Sequence, residues 1–263
     1  MFHLKVGLPV RIFNDIRQFR VAACNSAIFE IFIPLTLIIR YPMAQSIAKF
    51  IDHTLLSPTA TDSDIKHLCQ EAREYGFKAV CIAGSRVDLA RRSLAGSDIL
   101  LAAVVGFPHG NAATGTKTCE AAAYAALGAD ELDVVLNTGW VKSGQWDLVA
   151  AELKSLRECV PERTLKLILE TCYLEDAEKR KICRMSLEAG WEFVKTSTGF
   201  GPGGATLGDV ELMKETVGDA MGIKASGGIR DYETARKYLE AGATRIGASS
   251  GPAILRGEKK SKK

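Results

Sequence analysis

No two cysteines of this chain stand in CxxC spacing, and their number is odd: Cys24, Cys69, Cys81, Cys119, Cys159, Cys172 and Cys183. That leaves no disulfide framework to read. Most fall within expected helices or strands, as small buried hydrophobes in a reducing, cytoplasmic setting. Histidine is scarce, and His3, His53, His67 and His109 lack metal-ligand spacing, so neither a metal nor a cofactor is expected. The net charge is only +3, which excludes a broad cationic surface for nucleic acid. The apolar run Ile28–Ile39, interrupted by Glu30, is shorter than the roughly 20 residues a membrane span needs.

What is present suits one large core. The chain has 263 residues, 47% of them hydrophobic, and α/β barrels commonly use about 200–250 residues as one domain. Residues 1–42 do not match the remainder. There Lys5, Arg11, Arg17 and Arg20 precede the apolar segment, as in a signal peptide, but the basic region is long and the cleavage signal weak. Met43 opens a sensible start of its own, MAQSIAKFIDHTLL. We therefore expect an unstructured or non-native extension over 1–42, a barrel domain over 43–256 and a basic tail over 257–263. Lys259, Lys260, Lys262 and Lys263 would lie solvated in that tail.

From Phe50 onward, short β-branched runs alternate with helix-period segments, which predicts parallel βα units. The expected strands are Phe50–Leu56, Ala79–Ala83, Leu100–Phe107, Glu131–Asn137, Leu165–Glu170, Phe193–Thr198, Gly222–Gly227 and Arg245–Ser249. The expected helices are Asp62–Tyr75, Arg86–Ser93, Thr116–Leu127, Trp146–Glu158, Asp176–Ala189, Leu207–Val217 and Tyr232–Ala241. Gly76, Gly128, Gly190 and Gly242 follow helices, where C-terminal caps belong. The fold expected is an α/β (β/α)8 TIM barrel with a truncated or very short last helix. An open doubly wound sheet lacks its glycine fingerprint after the first strand.

Two lysines stand where lysines rarely belong. Lys195 in WEFVKTSTGF and Lys224 in GIKASGGIR each follow a short apolar start and precede a glycine turn. A buried ammonium costs several kcal/mol unless compensated. Two on neighbouring strands suggest chemistry: one ammonium favours loss of the proton from the other, leaving a neutral, nucleophilic amine. Alternation along the strands puts Asp133, Lys166, Glu170, Lys195 and Lys224 on faces that can all point inward. Their opposite charges would offset burial. A purely structural ion-pair network suits any one lysine alone; the lysines and carboxylate together favour catalysis.

Glycines at strand ends are a second signal. Gly199 to Gly204 follow strand six, Gly227 and Gly228 follow strand seven, and Gly247 to Gly251 end strand eight around Ser249 and Ser250. Barrel phosphate sites are often built from such loops. His53 reads as a structural residue satisfying backbone groups beside strand one. His109 is balanced between a substrate contact and a structural hydrogen bond.

From about Phe50 to Leu255 the chain resembles the deoxyribose-phosphate aldolases, class I Schiff-base enzymes. The resemblance rests on IDHTLL, VCI, VVGFPHG, GADELDVVLN, LKLILET, FVKTSTGFGPGGAT, GIKASGGIR and RIGASSG, in that order. It implies that Lys195 forms the Schiff base, that Lys224 tunes it and that Asp133 relays protons. It also implies that Asp52 and Cys81 border the substrate and that Lys166 belongs to the same network. Thr198, Gly199, Gly227, Gly228, Gly247, Ser249 and Ser250 would bind the phosphorylated sugar. Some members end in a tyrosine that assists proton transfer, whereas this chain ends in Lys263 with no tyrosine nearby. The expected partner is a small phosphorylated sugar, with a homodimer or higher homo-oligomer left open; neither nucleic acid nor a membrane is expected. Two rivals stand beside this reading. One is a Schiff-base barrel acting on a longer sugar phosphate or a keto acid. The other is a catalytically silent phosphosugar-binding protein.

Overall fold

Alternation within each strand decides the architecture. The computed structural model describes residues 46–261. The expected extension over 1–42, the start at Met43, Lys262 and Lys263 lie outside the described residues. The strands are β1 (Ile51–Leu55), β2 (Ala79–Ala83), β3 (Leu100–Val105), β4 (Glu131–Val135), β5 (Thr164–Ile168), β6 (Phe193–Lys195), β7 (Gly222–Ser226) and β8 (Arg245–Ala248). They pair in parallel, in sequence order, and β8 closes onto β1. Leu132, Val134, Leu165, Leu167, Val194, Ile223 and Ile246 join the apolar core between the strands and the helices. The residues between them, Asp133, Lys166 and Lys224, are buried and charged, so the barrel interior is polar and the surrounding layer apolar.

The helices are α1 (Asp62–Tyr75), α2 (Val87–Ser93), α3 (Thr114–Ala126), α4 (Thr138–Lys142), α5 (Trp146–Cys159), α6 (Asp176–Glu188), α7 (Leu207–Val217), α8 (Tyr232–Glu240) and α9 (Gly251–Ser261). Local chemistry sets their ends. Thr61 and Asp64 form a capping box that opens α1. The Asp231 side chain accepts from Thr234 N–H to open α8. Gly76, Gly128, Gly190 and Gly242 all take positive φ where helices turn toward the next strand.

Three features depart from the sequence expectation. A five-residue helix, α4, follows β4, opened by the Asn137 side chain accepting from Trp140 N–H. The last helix is not truncated: α9 runs from Gly251 to Ser261, so residues 257–261 are helix rather than tail. It holds because Ile254 and Leu255 pack inward and Glu258, 4% exposed, accepts from Ser46 Oγ at 2.8 Å and Ile47 N–H at 3.2 Å. The buried-cysteine reading holds for Cys69, Cys81 and Cys183, while Cys119, Cys159 and Cys172 are exposed; these six, the cysteines among the described residues, are free thiols, and Cys24 lies outside them.

Candidate active site

Strand register brings the charged residues to one level. Asp133 pairs with Lys166, Lys195 with Lys224, and Lys224 with Arg245 across neighbouring strands. Asp133 is the hub. Its Oδ2 lies 2.8 Å from Lys195 Nζ and 2.7 Å from Lys224 Nζ, and its Oδ1 lies 2.8 Å from Lys166 Nζ. Lys195 is 2% exposed, and Asp133, Lys166 and Lys224 are fully buried. Asp52 Oδ2 lies 2.5 Å from Lys224 Nζ. The Cys81 Sγ approaches Asp133 Oδ2 at 3.8 Å. The predicted residues Lys195, Lys224, Asp133, Lys166, Asp52 and Cys81 therefore meet in the barrel interior.

Burial would raise the Asp133 carboxyl, but the charges of Lys166, Lys195 and Lys224 outweigh it and hold the group well below the usual carboxylate range. Burial acts the same way on Asp52, where Lys224, Arg245 and Lys166 prevail and lower it to about 2. Lys224 is raised: desolvation opposes its charge, but Asp133 and Asp52 more than compensate. Burial also pushes the Cys81 thiol up, so it stays neutral. Lys224 has space for its stem because Gly247 faces it; a Cβ there would lie 3.0 Å from Lys224 Cε and 2.9 Å from Ser226 Cβ. Gly247 thus serves the lysine from within β8.

Two site residues escaped the sequence reading. Glu131 accepts from Lys166 Nζ at 2.6 Å, and Arg245 Nη2 donates to Glu131 at 2.7 Å. Arg245 Nε donates to Asp52 Oδ1 at 2.7 Å. The signal was present: Glu131 stands two residues before Asp133 and Arg245 two before Gly247, on the same strand faces. Glu170 is a correction. β5 ends at Ile168, and Glu170 takes φ 53°, the one positive φ of a non-glycine among the described residues. Its carboxylate accepts from Thr198 N–H at 3.2 Å and from Thr198 Oγ1, at the barrel mouth rather than among the lysines. His53 is another, because its Nε2 pairs with the Glu71 carboxylate at 2.8 Å rather than with backbone.

The glycine loops gather at the C-terminal ends of the strands. Thr198 Oγ1 accepts from Phe200 N–H at 3.0 Å, which shapes the turn at Gly199. Ala205 N–H donates to Ser226 O at 3.1 Å, tying the loop after β6 to the Gly227–Gly228 turn. Ser249 is exposed and Ser250 half-buried, directly before α9. The Ser250 carbonyl accepts from Ile254 N–H at 3.1 Å, so the helix N-terminus begins beside these loops. His109, Thr138, Glu170, Tyr173 and Phe200 line a small cavity of about 70 Å³ at the mouth. A larger surface hollow of about 590 Å³ beside Trp146 and Lys181 contains none of the inward-facing residues. Among the described residues no cluster of His, Cys, Asp and Glu is arranged to hold a metal ion.

Residues 46–257 match the DeoC/LacD family aldolases. The chain belongs to that family. It is 53% identical over 218 residues to a deoxyribose-phosphate aldolase of Caldanaerobacter subterraneus subsp. tengcongensis, spanning 82% of this chain and 94% of that one. It is 49% identical over 212 residues to the enzyme of that name from Deinococcus radiodurans, spanning 81% of this chain and 96% of that one. The tetrameric deoxyribose phosphate aldolase from Aeropyrum pernix superposes with a TM-score of 0.74 at 33% identity, over 81% of this chain and 91% of that one. The DeoC/LacD aldolase is thus an aldehyde-lyase built on the observed barrel, and its lysine cluster occupies the barrel interior. Among the described residues no helix is long and apolar enough to cross a membrane.

Proposed function

We propose that this chain is a class I aldolase that reversibly cleaves 2-deoxy-D-ribose 5-phosphate to acetaldehyde and D-glyceraldehyde 3-phosphate through a Schiff base on Lys195. The observation that carries the reading is Asp133 Oδ2, which lies within 2.8 Å of Lys195 Nζ and 2.7 Å of Lys224 Nζ, below the glycine loops. The neutral Lys195 amine attacks C1 of the open-chain sugar, and the carbonyl oxygen takes a proton. Loss of that oxygen as water gives the protonated imine. Removal of the C3 hydroxyl proton lets the C2–C3 electrons move into the iminium, and glyceraldehyde 3-phosphate leaves. The enamine takes a proton at C2, and water then hydrolyses the imine to acetaldehyde and free Lys195. Asp133, Lys224 and an ordered water carry these protons.

Asp52, Cys81 and Lys166 border the reacting end. Thr198, Gly199, Gly227, Gly228, Ser249 and Ser250 hold the phosphate, with Gly247 packed beneath, so phosphate binding positions the aldehyde. The cleavage belongs to deoxyribose phosphate breakdown. Exposed free thiols at Cys119, Cys159 and Cys172 suit a reducing cytoplasm, and the tetrameric relative supports a homo-oligomer. The test is release of acetaldehyde from 2-deoxy-D-ribose 5-phosphate, with and without EDTA. Equal release in both is expected, since the iminium serves as electron sink. No release, or release lost to EDTA and restored by zinc, would overturn the proposal.

A further inference from the structure

Six of the buried charges close on themselves. Starting from Arg245, the chain of ion pairs runs to Asp52 at 2.5 Å, on to Lys224 at 2.5 Å and to Asp133 at 2.7 Å. It continues to Lys166 at 2.8 Å, to Glu131 at 2.6 Å and back to Arg245 at 2.7 Å. Every neighbour in this ring is of opposite sign, with three cations and three carboxylates. The Phe193 ring lies below it, with its centroid 6.0 Å from Lys166 Nζ and 5.8 Å from the Arg245 guanidinium. Lys195 is the seventh charge. Among the described residues it forms an ion pair with Asp133 alone, which the ring already engages twice.

We propose that Arg245 and Glu131 are positioning residues that close a neutral ring of charges, leaving Lys195 as the single excess cation and so setting the pH range in which it is a free amine. The proposal rests on Lys195 being the Schiff-base amine. The buried charged and thiol side chains of the other strands are Asp52 from β1, the neutral Cys81 thiol from β2, Glu131 and Asp133 from β4, Lys166 from β5, Lys224 from β7 and Arg245 from β8, and of these Asp133 pairs directly with Lys195. β3 contributes only Ala102 and Val104. With the ring intact, the cluster reaches neutrality when Lys195 loses its proton. Deleting one ring charge must displace that balance in a direction fixed by the sign deleted. A merely structural loss would lower the rate alike at every pH.

The test is kcat/KM against pH for the full chain and three variants, each checked by thermal unfolding. Arg245→Met leaves the ring negative and should move the amine limb up by about one pH unit. Glu131→Gln leaves it positive and should move the limb down by a similar amount. The double variant Arg245→Met/Glu131→Gln removes one charge of each sign and should return the limb to its native position. Shifts of the same sign, or no shift in folded variants, would overturn the ring. If Arg245→Met does not fold, Arg245→Lys decides beside Glu131→Gln: the charge-conserving variant must keep the native limb while Glu131→Gln lowers it. Borohydride trapping of the native enzyme separates the two readings. Absence of an adduct on Lys195 refutes the Schiff base, whereas an adduct with unmoved limbs refutes only the ring.

Discussion

Asp133 is asked to hold three amines with two oxygens. That crowding explains why it remains charged despite full burial, and why Lys224 bears on Lys195 through the carboxylate oxygen they share. Lys224→Leu should slow imine formation and move the amine limb of the pH–rate profile upward; an unmoved limb, or full turnover at neutral pH, would count against electrostatic activation. Asp52 makes a separate prediction about stability. Its carboxyl lies near 3.8 in the unfolded chain and at about 2 in the fold. Its contribution is therefore complete above pH about 4 and is lost as pH falls toward 2. Acid unfolding of Asp52→Asn should show a shallower fall across that window than the native protein. Asp133 and Lys224 are legible in the sequence because each is one charge between apolar neighbours inside a strand of period 2, and Lys195 because it closes a short apolar start before a glycine turn. Glu131 and Arg245 share inward faces by the same period, but that signal is easily passed over because they open their strands, where a charged residue reads as a flank. Glu170 departs from the expected inward face because period 2 does not continue past Ile168. There the backbone turns to positive φ and aims the side chain at Thr198.

The elements follow from hydrophobic period and helix punctuation. All eight strands and the seven major helices appear where the pattern puts them, with ends moved by a few residues. The departure at the C-terminus has a physical cause. Lys259 and Lys260 give the segment the look of a solvated tail, yet they belong to a helix whose other face carries Ile254, Leu255 and Glu258. Lysines in the last turn also complement the helix dipole. Glu258 fastens this helix to the Ser46–Ile47 entry of the barrel. Glu258→Ala should lower unfolding free energy by about 1–3 kcal/mol, the cost of leaving the buried Ile47 N–H without that acceptor. Thermal unfolding measures it, and an unchanged midpoint would show that α9 does not depend on this tie.

For the whole molecule, β1 pairs with both β2 and β8, so the barrel closes within residues 46–261. A chain beginning at Met43 should therefore match the full chain in thermal midpoint and turnover; a truncated protein that fails to fold, or loses most of its activity, would assign residues 1–42 a part in the barrel. The central claim is that one buried amine, Lys195, bonds covalently to the substrate. Incubating the full chain with 2-deoxy-D-ribose 5-phosphate and borohydride, then mapping the intact and peptide masses, tests it most directly. The account predicts a single stable adduct on the peptide containing Lys195, absent from a folded Lys195→Ala variant that also fails to cleave the sugar. An adduct on another lysine, or near-native turnover by Lys195→Ala, would contradict it.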